Sequence, residues 1–224
     1  MMKFSRQELP IAYSMIEIAG RVRPRRDGRQ PFDQFFLLWT AFKHIYTAVA
    51  SRHGVSTQYL VSQDGSIATT HNGSINIPKV IPVDESEQLS IVLGELDDKL
   101  QHRLITHEST YFFLNRVPFW QGKPIEVDAF GQKLNGIINI NDTTRPEYPV
   151  WSPIDALVYE RYMQDPEKAE DRTFLAGQIM DLLHTVSKNL MHLGQKFDDG
   201  NDIHVVENAL PLLEQLIETF IDPK

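Results

Sequence analysis

Apolar residues recur every three or four positions in several stretches of the chain, which is the spacing that lines one face of an α-helix. The clearest stretch runs from residue 31 to residue 54, and its large side chains are Phe32, Phe35, Trp39, Phe42, Tyr46 and Val49. Pro31 and Asp33 suit the first turn of a helix, and Gly54 suits its end. The pattern predicts one long helix here, after a shorter amphipathic helix near residues 5–22.

The chain changes character after this helix. Residues 55–88 are rich in Ser, Thr, Asn, Gly and Pro, which predicts loops or short extended pieces. Helical spacing resumes and predicts one helix, whose apolar positions are Leu89, Val92, Leu93, Leu96, Leu100 and Leu104. Ser86 is the candidate N-cap of this helix.

A small β-hairpin is predicted over residues 121–140. Apolar and polar residues alternate at its start, as is typical of a half-buried strand, and the apolar members are Ile125, Val127 and Ala129. Either Asn135-Gly136 or Gly131-Gln132 supplies the turn. The expected fold class is therefore mainly α with a small β-hairpin insertion.

The last third of the chain, from Trp151 onward, is predicted to be helical. Ser152 suits the N-cap of its first helix, with Pro153 at the first helical position. The next helix carries a continuous apolar stripe made of Ile179, Leu182, Leu183, Val186, Leu190 and Leu193. Asp202 is the candidate N-cap of the last helix, and Pro211 should kink or split that helix because proline lacks the amide proton.

Composition narrows the class of protein. The 224 residues are 42% hydrophobic and 23% charged, which excludes a disordered or collagen-like chain. The absence of cysteine excludes disulfides and thiolate metal sites and fits a reducing cytosol. There is no signal-peptide pattern and no apolar run near the roughly 20 residues that span a bilayer. We therefore expect a soluble, cytoplasmic protein without a membrane partner.

Charge and histidine spacing limit the candidate chemistry further. The formal net charge of −8 argues against sequence-blind coating of nucleic acid, but a small basic site remains compatible with it. Five arginines fall within residues 21–29, and a solvated loop is the favoured interpretation over an RNA contact. No two histidines lie three or four residues apart, and residues 198–202 suit a turn with a helix cap better than a calcium loop. We expect no bound metal and no cofactor.

His184, Lys188 and His192 are spaced by four residues and should share one stripe of a helix. A histidine at the C-terminal end of a helix gains proton affinity from the helix dipole, and a cation one turn away has the opposite effect. Taken alone, this stripe is typical of a solvated helix face.

The sequence around this stripe resembles the HEPN family, a group of small helical bundles named for nucleotide binding in higher eukaryotes and prokaryotes. The family pattern V-R-N-N-L-F-H-G-x-K is matched, with one insertion at Leu193, by Val186, Asn189, Leu190, His192, Gly194 and Lys196. The family's first core helix, F-x-x-W-x-A-F-N-x-x-Y, is similar to Phe36-x-x-Trp39-x-Ala41-Phe42-x-x-x-Tyr46. Two separated segments thus agree with the family in the right order.

The resemblance covers residues 32–53 and 150–222, where the final segment is similar to the family's last helix. It implies that residues 1–224 form a single HEPN-like domain with an unmatched insertion at about 55–148. The first core helix should pack against the last two helices through Trp39, Phe42, Leu183, Val186, Leu190 and Leu213.

The resemblance also implies an activity. Many HEPN proteins are metal-independent endoribonucleases of toxin or phage-defence type that work as homodimers, and family toxins often have a nucleotidyltransferase antitoxin as partner. An arginine and a histidine from each subunit meet at the dimer interface, where the histidine is the general acid or base toward RNA. The site residues implied here are His192 as acid or base, Lys188 as phosphate cation, and Asn189 beside them.

The chain departs from the family at the arginine of this motif. Ser187 stands in its place, followed by Lys188, and Lys43 replaces the asparagine of the first-helix pattern. Lysine supplies a point charge but lacks the planar fork of arginine. The alternative is therefore a catalytically inactive HEPN scaffold that binds a partner protein or a nucleotide. In a third interpretation the similarity is accidental, and His192 is simply a histidine at a helix end.

Overall fold

Eight α-helices make up most of the chain that the structure describes. The computed structural model describes residues 2–24, 29–55, 84–114, 154–192 and 200–222, together with short strands within residues 57–82 and 119–124. The helices are α1 (Pro10–Ala19), α2 (Gln30–Arg52), α3 (Glu85–Glu95), α4 (Asp98–Ile105), α5 (Glu108–Leu114), α6 (Ala156–Gln164), α7 (Ala169–His192) and α8 (Gly200–Phe220). The predicted mainly α fold is confirmed. None of the described helices is long and apolar enough to cross a membrane.

Short strands occur in the stretch that the sequence marks as an insertion. They form three antiparallel pairs: β1 (Thr57–Tyr59) with β4 (Val80–Pro82), β2 (Thr69–Asn72) with β3 (Ile75–Pro78), and β5 (Phe119–Trp120) with β6 (Lys123–Pro124). In the second pair Asn72 lies opposite Ile75. The hairpin predicted from the alternation beyond residue 124 lies outside the described residues and stays a prediction.

Helix α2 lies at the centre of the bundle and packs against α1, α3, α7 and α8. Its apolar face is wide because it meets partners on several sides, and its buried residues are Phe32, Phe35, Leu38, Trp39, Ala41, Phe42, Ile45, Tyr46, Val49 and Ala50. The predicted packing of α2 on the last two helices is confirmed, since Trp39, Phe42, Leu183, Val186 and Leu213 are buried. Leu190 is partly buried against the same core.

Aspartates cap three of the helices. The carboxylates of Asp84, Asp97 and Asp155 accept hydrogen bonds from backbone amides in the first turns of α3, α4 and α6. The predicted caps Ser86 and Ser152 are therefore wrong. Asp97 also divides the single helix predicted over residues 89–104 into α3 and α4, because its side chain satisfies the amide of a new first turn.

Helix α8 is continuous from Gly200 to Phe220 and holds Pro211 inside it. The proline therefore does not split the helix. The predicted N-cap Asp202 lies within α8 and not before it. After α8 the chain returns to the N-terminus, where the amide of Phe4 donates to the carbonyl of Phe220 at 2.8 Å.

Candidate functional site

Ser187, which aligns with the arginine of the HEPN pattern in the resemblance, lies inside the protein on the C-terminal half of α7. It is 3% exposed, and its hydroxyl donates to the backbone carbonyl of His184 at 2.7 Å. Lys188 is exposed and forms no ion pair with any residue of the described chain. Successive helix residues are rotated by about 100°, so a one-residue step separates the interior from the solvent-facing side.

Asn189 and His192 both belong to the last turn of α7. Their side chains lie outside the described part of the structure, which gives their helical backbone. His192 follows Lys188 by four residues, so the two positions lie one helical turn apart and differ by about 40° around the helix. Asn189 is the next position round the helix from Lys188. The structure thus places the backbone positions of Lys188 and His192 one turn apart on α7, with Ser187 buried.

The predicted stripe is wrong at its first member, because His184 faces the core. His184 is 7% exposed, and its ring stacks on the indole of Trp39 with centroids 6.1 Å apart and 13° between the planes. Its Nε2 lies 3.2 Å from Oε2 of Glu85. Each four-residue step rotates a helix by about 40°, which carries His184 across the boundary between the buried and exposed sides.

Glu85, in the first turn of α3, joins three helices. Its Oε1 accepts a hydrogen bond from the hydroxyl of Tyr46 on α2 and lies 3.4 Å from Nζ of Lys43. Its Oε2 faces His184 on α7. The sequence pattern does not predict this polar cluster of Glu85, Tyr46, Lys43 and His184. One signal was available: Tyr46 lies on the buried face of α2, and a buried tyrosine hydroxyl needs a hydrogen-bond partner.

Burial and pairing shift the pKa of two groups in this polar cluster. Burial alone would raise the pKa of Glu85, but the hydrogen bond from Tyr46, the charge of Lys43 and the contact with His184 together hold it below its ordinary value. Burial raises the pKa of Tyr46, and the Glu85 carboxylate raises it further. At neutral pH the cluster therefore contains an ionised carboxylate bound to a neutral phenol.

We expect the stability of the protein in acid to depend on Glu85. Because its pKa is lower in the folded state, its contribution is present above the ordinary value of 4.5 and is lost as the pH falls through the folded value. Glu85→Gln should lower the free energy of unfolding by about 1–3 kcal/mol at neutral pH. It should also make that free energy less dependent on pH in the acid range.

Urea unfolding at a series of pH values measures both effects. Glu87→Gln is the matched control, since Glu87 is an exposed glutamate in the same helical turn. If Glu85→Gln and the wild type lost stability equally as the pH falls, the role given to Glu85 would be contradicted.

The polar cluster around Glu85 and the pair of positions Lys188 and His192 differ in the chemistry that they can support. The polar cluster around Glu85 ties helices together, whereas Lys188 and the His192 position combine a solvent-facing cation with a group suited to proton transfer near neutral pH. No three His, Asp or Glu side chains of the described residues are grouped as metal ligands. Comparisons of the chain with protein-family models, with curated proteins and with solved structures find no match.

Proposed function

We propose that this protein is a HEPN-like, metal-independent endoribonuclease of toxin or phage-defence type. The observation that carries the proposal is the position of Lys188. It is exposed, it is one helical turn from the His192 position of α7, and it forms no ion pair with an acidic residue of the described chain. A cation beside a histidine supplies a charge-stabilising group and an acid or base, which are the two groups that the proposed cleavage uses.

The proposed roles follow from the chemistry of RNA cleavage. A histidine takes the proton from a ribose 2′-hydroxyl, whose oxygen attacks the neighbouring phosphorus, and a second histidine gives a proton to the departing 5′-oxygen. A homodimer supplies both groups as two copies of His192. Lys188 stabilises the charge that develops on the phosphate oxygens, and Asn189 is the neighbouring polar residue. The family resemblance adds a nucleotidyltransferase-type antitoxin as the proposed partner.

The test is incubation of the purified protein with a mixed RNA pool in EDTA. The wild type should cleave RNA and leave DNA of the same sequences intact, since DNA lacks the 2′-hydroxyl. His192→Ala should reduce the rate by about 10²–10⁴-fold, the usual contribution of a positioned acid or base. His204→Ala, which removes an exposed histidine paired with Glu207 on α8, should cleave like the wild type. Cleavage that needs a divalent metal, or that survives in His192→Ala, would contradict the proposal.

The second candidate is a catalytically inactive HEPN-like scaffold that binds a partner protein or a nucleotide. The burial of Ser187 favours it, because no guanidinium can stand at this position without entering the core. Lys188→Arg supplies the fork-shaped cation on the exposed side, so it is a better gain-of-function variant than Ser187→Arg. If neither the wild type nor Lys188→Arg cleaves RNA, the scaffold is the function to pursue.

A further inference from the structure

We propose that the groove between α3 and the first half of α7 binds a cationic amphipathic helix of a partner protein. The groove has a volume of about 690 Å³ and is lined by Leu93 of α3 and by Ala169, Glu170, Phe174, Gly177 and Asp181 of α7. It involves neither Lys188 nor His192. The proposal is therefore independent of the proposed ribonuclease function.

The floor of the groove is apolar and open. A side-chain carbon placed on Gly177 would lie 3.4 Å from Cδ2 of Leu93, so α3 and α7 approach closely at this point of the groove. Phe174, at one side, leaves 49% of its surface exposed. An exposed aromatic side chain next to an apolar depression is typical of a surface that receives an anchoring side chain from a partner.

The groove is also negatively charged. Glu170 and Asp181 are both exposed, and neither forms an ion pair with a residue in the described ranges. The cations nearest to Glu170 in the sequence are already paired, Lys168 with Asp171 and Arg172 with Asp98. The cation nearest to Asp181 is Lys188, which lies two helical turns further along α7 and forms no ion pair with it. Both carboxylates are therefore available to pair with cations of a partner.

The distance between Glu170 and Asp181 indicates which kind of partner fits the groove. Glu170 and Asp181 are separated by three helical turns of α7, which is about 16 Å at 1.5 Å per residue, and Phe174 lies between them. A helix with apolar side chains on one face can pack them against Phe174 and Leu93. A lysine or arginine towards each end of that helix can then pair with Glu170 and Asp181. A nucleic acid or an anionic lipid surface would instead meet repulsion from both carboxylates.

Fluorescence anisotropy with a designed peptide tests this proposal on the full chain. The probe is a labelled alanine-based helical peptide with leucines along one face and lysines near both ends, and its counterpart carries glutamates in place of the lysines. The lysine peptide should bind and the glutamate peptide should not. The double variant Glu170→Lys with Asp181→Lys should weaken binding at least about tenfold, since it replaces two attractions with two repulsions.

Variants of single apolar residues separate the groove from general charge attraction. Phe174→Ser should also weaken binding about tenfold, whereas Phe174→Leu, which keeps an apolar side chain, should bind nearly as tightly as the wild type. Leu157→Ser is the matched control, because Leu157 is 76% exposed on α6 and lies outside the groove. No binding of the lysine peptide up to about 1 mM, equal binding of the glutamate peptide, or binding insensitive to either groove variant would overturn the proposal.

Discussion

Phe35→Ala should lower the free energy of unfolding by about 3–5 kcal/mol, whereas Phe36→Ala should change it by less than about 1 kcal/mol. The two phenylalanines are neighbours in α2, and the same atoms are removed from each. Phe35 is fully buried and stacks on Trp39 with ring centroids 6.2 Å apart, but Phe36 is 51% exposed. Removing the buried ring leaves a cavity at the centre of the bundle, and removing the exposed ring leaves none.

Urea unfolding followed by tryptophan fluorescence and by circular dichroism measures both variants. The pair tests the rotation of α2 about its own axis, because turning the helix by one residue would bring Phe36 to the buried position and give it the larger loss. Equal losses of stability, or a larger loss for Phe36→Ala, would contradict the placement of α2 in the core.

Ser187→Arg should destabilise the protein by about 3 kcal/mol, whereas Lys188→Arg should leave its stability within about 0.5 kcal/mol of the wild type. The first change forces a long charged side chain into a site where the serine is 3% exposed and bonded to the carbonyl of His184. The second exchanges one exposed cation for another. Each variant introduces one arginine at neighbouring positions of α7, so the two results differ only if one position is buried and the other is exposed.

Thermal and urea unfolding measure the stability of the two variants. Equal stability of Ser187→Arg and Lys188→Arg would mean that position 187 is open to solvent. The buried placement of the motif's arginine position would then be wrong.

The sequence predicts α2 well because its pattern is dense and long. Large apolar residues at every third or fourth position from Phe32 to Val49 leave little choice of element or of buried side. The starts of helices were harder to predict, since an apolar pattern tells which side is buried but not where a helix begins. Asp97 interrupts a continuous leucine series without disturbing its period, so only its hydrogen bond to the amide of Leu100 reveals the new helix.

The candidate site was predictable only in part, because its orientation depends on partners far away in the chain. His184 is drawn into the core by Trp39 and by Glu85, which is 99 residues away from it. Nothing local to α7 indicates that these partners exist. The four-residue spacing of His184, Lys188 and His192 is a property of the helix, but the surface that covers each residue is a property of the whole bundle.

The most direct measurement of the central claim is the rate of RNA cleavage in EDTA by the wild type, Lys188→Arg and Lys188→Ala. If Lys188 provides the phosphate cation beside His192, Lys188→Ala should be slower than the wild type by about 10²-fold. Lys188→Arg should be at least as fast as the wild type, because arginine keeps the charge and adds the planar fork. Three equal rates, or no cleavage by any of the three proteins, would contradict the claim that α7 carries a metal-independent ribonuclease site.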